Sequence, residues 1–253
     1  MKRSSLISLI AIIISFSQSL MAQSEHSQER DVSKPTNFYT FIDNNFEINS
    51  TPNSTVSGYR ANLTFSFSEK HLLLAELPLM YNSNTDKFGI GDLRLRYFWL
   101  PYKDYSKTLG AFGPSIDIFA PTGNFENGLG TGRWILAPGL TFGIMGADWI
   151  QFFPVLSYQY LSEVTGLKSD INNSALHGAT FQVITPIVFS KKVFTQLTPT
   201  VGIEDFRKAD QFNFKMEMLF SYGVREDFWL NIFYKGAFKQ DFHSLRIGFT
   251  TYF

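Results

Sequence analysis

Cysteine is absent from this chain of 253 residues, which excludes a disulfide framework, a thiolate metal site, a cysteine nucleophile and a lipid-anchored cysteine. After the first 22 residues no stretch stays apolar long enough to cross a membrane as a helix, although 44% of the residues are hydrophobic and 17% aromatic. A helical membrane protein is thereby excluded, and the hydrophobicity must follow another pattern. Net charge is lacking too. The 22 basic residues balance 22 acidic ones and the pI is near 6.9, so no nucleic acid or other polyanion is expected as a partner.

What is present begins with an export signal. Met1-Lys2-Arg3 is basic, Leu6 to Phe16 is apolar, and Ser17-Gln18-Ser19-Leu20-Met21-Ala22 ends on a small residue suited to cleavage. Serines at 15, 17 and 19 break the run, which falls short of the roughly 20 apolar residues of a spanning helix. The organisation read from this is a signal peptide over 1–22, a periplasmic tail over 23–36 that either plugs the barrel or hangs free, its polar composition favouring a free tail, and one β-barrel over 37–253.

From Phe38 onward the dominant signal is alternation with period two, which a helix cannot use and a two-faced strand requires. In Tyr59-Arg60-Ala61-Asn62-Leu63-Thr64-Phe65-Ser66-Phe67 the odd positions are apolar and the even ones polar. Leu93 to Tyr97, Phe212 to Met218 and Leu245 to Phe253 repeat the pattern. Such runs predict twelve strands, near 37–49, 56–67, 71–82, 88–100, 108–121, 133–145, 149–162, 177–190, 192–206, 211–225, 227–238 and 244–253. The connections alternate between short turns and longer loops, as in an up-and-down transmembrane barrel of the bacterial outer membrane. Aromatic residues crowd strand ends (Tyr97, Phe98, Trp99, Trp134, Trp149, Phe228) and read as interfacial girdles. Phe253, at the C-terminus, resembles the aromatic signal read by the barrel-assembly machinery.

Alternation assigns Arg60, Glu76, Asp92, Arg94, Arg96, Asp117, Arg133, Glu204, Lys215, Glu217, Lys235 and Arg246 to the inner face, with Met80, Phe119, Phe153, Phe194, Leu219, Trp229 and Phe233 among them. A mixed lumen of this kind fits the passage of amphipathic or aromatic molecules. It equally fits a salt-bridge network that fills the interior and holds the strands in register. The Asp92 carboxylate is expected to meet Arg94, Arg96 or Arg133, and the loop Gly123 to Gly132, with Asn124, Gly128 and Gly130, is expected to fold over the mouth as a gate or to remain a mobile solvent loop.

Three segments, Gly89-Ile90-Gly91-Asp92, Pro121-Thr122-Gly123 and Gly128-Leu129-Gly130, resemble the G-x-G-D strand, P-T-G strand end and G-x-G loop of the MetA-pathway phenol-degradation family of outer-membrane barrels. The resemblance covers about Phe88 to Pro138 and implies passive uptake of small hydrophobic or aromatic compounds. Two other classes stand beside it: a structural barrel with a plugged lumen, and an outer-membrane lipid-modifying hydrolase. The four histidines (26, 71, 177, 243) lack a His-x-Ser-Asn-Gly-like context, and no Gly-x-x-x-x-Gly-Lys-Ser/Thr phosphate loop occurs. No enzyme activity, cofactor or metal is expected. The expected partners are outer-membrane lipids, the assembly machinery and a small apolar or aromatic solute.

Overall fold

The computed structural model describes residues 30–165, 173–208 and 212–253, of which Asp31–Tyr252 belong to one compact unit. The proposed signal peptide, and the tail up to residue 29, lie outside the described residues. Twelve antiparallel strands form the unit: β1 Phe41–Thr51, β2 Ser54–Ser68, β3 His71–Asn82, β4 in two segments Lys87–Ile90 and Leu93–Trp99, β5 Leu109–Ala120, β6 Ile135–Ala147, β7 Ile150–Leu161, β8 Leu176–Ser190, β9 Val193–Ile203, β10 Phe212–Arg225, β11 Phe228–Ala237 and β12 Phe242–Tyr252. Each strand pairs with its sequence neighbour, and β1 also pairs with β12 from Phe41↔Tyr252 to Ser50↔His243, so the sheet closes into a barrel with no free edge.

The two ends of the barrel differ. At one end, four of the five connections are two-residue turns: Glu69-Lys70, Asp148-Trp149, Lys191-Lys192 and Glu226-Asp227. The opposite end carries both long loops, after β5 and after β7. The fifth connection at the turn end follows β4 and adds a short pairing of Tyr102–Lys103 with Ala111 and Phe112.

The wall sorts residues as alternation requires. Phe46, Ile48, Leu63, Phe65, Leu140, Phe220, Leu230 and Ile247 are exposed on the outer face, where hydrocarbon would cover them, while Glu47, Glu76, Asp117, Thr141, Ser221 and Thr250 are buried inside. Trp99, Trp134 and Trp149 are exposed at strand ends, in girdle positions. Phe98, however, faces inward. Prolines fall where ladders lapse: β6 and β7 lose pairing at Ala137 and Pro138, and β7 and β8 at Thr185 and Pro186, because proline offers no N–H to its neighbour.

The fourth strand departs from expectation. Ile90 and Leu95 both face outward although five positions apart, so the alternation slips once between them, at Gly91-Asp92, where β4 is broken. Pro78 lies opposite the slip, its carbonyl accepting the Gly91 N–H at 2.9 Å. Beyond the slip, the Asp92 carboxylate bonds the loop after β5 and not the lumen arginines.

The first strand begins at Phe41, and the residues before it are not a free tail. Phe38 is buried at the turn end of the barrel among the inward residues Leu72, Leu100 and Ala111, with Phe98 6.3 Å away. Thr36 and Asn37 bond the Tyr105 hydroxyl at 2.6 and 3.1 Å, and Lys34 pairs with Asp31 at 2.6 Å and lies 5.8 Å from the Tyr105 ring. Polar composition pointed to a free segment, but one buried phenylalanine and a tyrosine hydroxyl suffice to dock residues 31–38. Phe38→Ala should weaken this docking by about 3 kcal/mol. The expected result in limited proteolysis is a roughly hundredfold faster cleavage before Phe41 while the barrel stays folded and heat-modifiable; unchanged cleavage would show that Phe38 is not the anchor.

Candidate functional site

Inside the wall, charges line up strand by strand. Arg246 on β12 lies 3.1 Å from Glu47 on β1, within ion-pair range but not aligned as a hydrogen bond. Glu47 holds Arg60 of β2 through both carboxylate oxygens, at 2.5 and 3.1 Å. Arg60 reaches on to Glu76 of β3 at 3.0 Å, Glu76 to Arg94 of β4 at 2.7 Å, and Arg94 grips Asp117 of β5 with Nε and Nη2 at 2.8 and 2.6 Å. Arg96, two residues along β4, contacts the same Asp117 at 3.0 Å. The result is one chain of seven alternating charges across six consecutive strands, spanning the β1–β12 closure. Register supports it, since Glu47↔Arg246, Glu76↔Arg94 and Arg96↔Asp117 are directly opposed pairs.

Three of its arginines also lie over rings: Arg246 over Phe233 at 4.8 Å, Arg94 over Phe119 at 5.0 Å and Arg96 over Phe98 at 5.3 Å. Across the lumen, Glu217 of β10 pairs with Lys235 of β11 at 2.7 Å and is close enough to Arg94 and Arg246 to feel their charge. Lys215, nearer the loop end of β10, has no ion pair among the described residues. Below this belt, toward the turn end, Phe153 is fully buried and Phe194 packs 5.6 Å from Trp229. Asn62, Thr64, Gln151 and Ser244 each bury a polar atom with no partner among the described residues, a situation ordinarily met by water.

The sequence reading missed Glu47, the hub between Arg246 and Arg60. Its signal was present in Asn45-Phe46-Glu47-Ile48-Asn49, which alternates cleanly once Asp43-Asn44-Asn45 is not allowed to interrupt the strand. It also placed Phe98 in the girdle, whereas that ring stands between Arg96 and the docked Phe38.

Asp92 serves a different purpose from the one expected. Its Oδ1 accepts the Gly123 N–H at 3.1 Å, and its Oδ2 accepts both the N–H and the hydroxyl of Thr131, at 2.7 and 2.8 Å. One carboxylate thus clasps both ends of the loop after β5. Thr122 completes the clasp, accepting the Leu93 N–H at 2.9 Å and donating to the Gly91 carbonyl at 2.8 Å. The loop crosses itself so closely that a Cβ on Gly130 would lie 2.4 Å from Asp92 Oδ1 and 2.8 Å from the Gly123 Cα. Leu129, buried, rests over the bare backbone of Gly89 and Gly91, where a Cβ on Gly91 would meet the Pro78 ring at 2.8 Å. The three motif segments are therefore parts of one interlock.

The rest of the loop is equally tied. Asn124 accepts the Asn127 N–H with its side chain at 2.8 Å and the Leu129 N–H with its carbonyl at 3.0 Å, and the Asn82 amide holds the Asn127 carbonyl at 2.9 Å. Gly128 and Gly132 take φ of 65° and 69°, and the Gly132 carbonyl accepts the Thr165 N–H of the neighbouring long loop at 2.7 Å. Arg133 follows in a bend before β6 and does not reach Asp92 as an ion pair.

The described histidines each bond a tyrosine hydroxyl: His71 with Tyr97 at 2.6 Å, His177 with Tyr158 at 2.5 Å and His243 with Tyr234 at 2.8 Å. These pairs flank the wall at strand ends, as girdle residues do. Among the described residues no group of three or more histidine, aspartate or glutamate side chains could hold a metal ion.

Replacing Asp92 by alanine strands two backbone N–H groups, each at a cost of about 1–3 kcal/mol. We expect protease cleavage between Gly123 and Gly132 to rise at least tenfold in the folded D92A barrel and less in D92N, with the strand core unaffected by hydrogen exchange; equal cleavage in wild type and D92A would mean that the clasp does not hold the loop.

No protein-family model and no curated protein matches this chain. Solved structures do. The NanC porin superposes with a TM-score of 0.63 at 11% identity, over 83% of this chain and 98% of that one. An outer membrane channel of the COG4313 group from Pseudomonas putida F1 gives 0.60 at 12%, over 90% and 100%, and the KdgM porin with disordered oligogalacturonate gives 0.56 at 11%, over 84% and 99%. At such identities the likeness is one of fold: this chain is a closed, twelve-stranded antiparallel barrel of the kind found in outer-membrane porins and channels.

Proposed function

We propose that this chain is a passive, constricted channel of the outer membrane of a diderm bacterium, exported by cleavage after Ala22, that admits small hydrophobic or aromatic compounds as members of the MetA-pathway phenol-degradation family are held to do. The observation that carries the reading is the state of the charge belt. Arg94, Arg96, Glu217 and Lys235 keep 22%, 23%, 31% and 32% of their side-chain surface open although they lie inside the wall. A solid interior would leave them none. The shared fold with structures described as porins and a channel supports the same role.

In this reading a solute enters beside the clasped loop, descends past the Lys235–Glu217 pair, and slides along rings that already carry arginines, Phe233, Phe119 and Phe98. Apolar contact replaces its hydration, and the guanidinium groups orient its polar end. Nothing in the path supplies energy, so flux follows the gradient. The reading is that of a non-enzyme, on the ground that no His-x-Ser-Asn-Gly-like run surrounds any of the four histidines. The plugged-barrel alternative has one observation in its favour, the docked segment around Phe38 at the turn end, which fills part of the exit.

Swelling of proteoliposomes containing the refolded chain without residues 1–22, compared with protein-free vesicles, tests the two. The channel predicts faster entry of an aromatic alcohol and, to a smaller extent, of a sugar of similar size. Rates equal to those of protein-free vesicles from a heat-modifiable barrel would favour the plugged alternative.

A further inference from the structure

Resting on that channel reading, we propose that the preferred solute is an aromatic carboxylate, with Arg96 and Phe98 as the site that receives its charged end and its ring. The charge chain is not neutral. It begins and ends with arginine, so that Arg246, Arg60, Arg94 and Arg96 share three carboxylates, Glu47, Glu76 and Asp117. Its inner members are saturated, because Arg60 and Arg94 each bridge two carboxylates. Its terminal members are not. Among the described residues Arg96 has Asp117 Oδ2 as its one ion-pair partner, at 3.0 Å, and that oxygen already receives Arg94 Nη2 at 2.6 Å. The guanidinium of Arg96 therefore has donors to spare, and a planar fork of N–H groups matches a carboxylate edge in two parallel hydrogen bonds.

The ring beneath Arg96 gives the second half of the site. Phe98 stacks against Arg96 at 5.3 Å, and its other neighbour is the docked Phe38 at 6.3 Å. A solute with a carboxylate on a ring satisfies the guanidinium and the phenylalanine together, whereas an aliphatic anion satisfies only the first and a neutral aromatic only the second. The approach is also graded by charge. Lys215, without an ion pair among the described residues, lies toward the loop end of β10, Lys235 follows on β11, and Arg96 lies three residues from the turn end of β4. With the four arginines these two lysines make six cations on the inner wall, against the five carboxylates Asp43, Glu47, Glu76, Asp117 and Glu217. Cations outnumbering anions along a low-dielectric passage draw anions in.

Reversal potentials across planar bilayers holding the refolded wild-type chain, under gradients of potassium benzoate, potassium acetate and potassium chloride, test this. The proposal expects benzoate to permeate at least about threefold better than potassium, acetate to fall clearly below benzoate, and Arg96→Gln to lower the benzoate preference while Arg96→Lys keeps part of it. Conductance with no preference for benzoate over acetate, or with cation selectivity, would overturn the proposal and leave the channel standing. Absence of conductance in all three salts would remove the channel and the proposal together. Because the comparison of salts is made on the wild type, it holds even where a variant fails to fold.

Discussion

A barrel wall in hydrocarbon has one face on which a charge can be placed, and this chain uses that face to join its strands. An arginine or lysine turned outward at mid-depth costs about 2–4 kcal/mol. Turned inward and alone, it would still need a counter-charge or water. The chain from Arg246 through Glu47, Arg60, Glu76, Arg94 and Asp117 to Arg96 answers both demands by letting each inner member serve two neighbours. It crosses the closure between first and last strand, where two parts of the sequence some 200 residues apart must find one register. Because directly opposed partners carry opposite charge, a one-residue slip of β1 on β12 would take Glu47 away from Arg246 and turn it toward lipid.

Much of this was legible in the sequence, and for a definite reason. Period two is a local property, so Tyr59 to Phe67 or Phe212 to Met218 declare their strand and its faces without knowledge of the partner. Twelve strands, their loop alternation and the inward direction of Arg60, Glu76, Arg94, Asp117, Glu217, Lys235 and Arg246 follow from it. Legibility ended where one residue breaks the count. The count slips at Gly91-Asp92, and the Asp92 carboxylate goes to Gly123 and Thr131, partners over 30 positions away that no local rule identifies. The docking of Phe38 was hidden for a similar reason: its pocket is assembled from Leu72, Phe98, Leu100 and Ala111, on three other stretches of chain.

The two departures have a common effect on the passage. At the loop end the clasp pins Leu129 against the wall over Gly89 and Gly91, and at the turn end Phe38 sits against Phe98 and Leu72. Between them lies the charge belt, whose Arg96, Lys235 and Glu217 side chains keep part of their surface open. In the proposed channel reading, a ring-lined belt between two narrowed mouths would sort solutes by chemistry more than by size.

The central claim is that neighbouring members of the charge chain stabilise the barrel jointly and not independently. A double-mutant cycle on Glu76 and Arg94, with Glu76→Gln and Arg94→Gln alone and together, measured by urea unfolding from lipid vesicles, tests it most directly. The account predicts that the two losses fail to add, with an interaction energy of about 1–3 kcal/mol. Additivity within about 0.5 kcal/mol would contradict it, because the two side chains would then be neighbours that contribute independently.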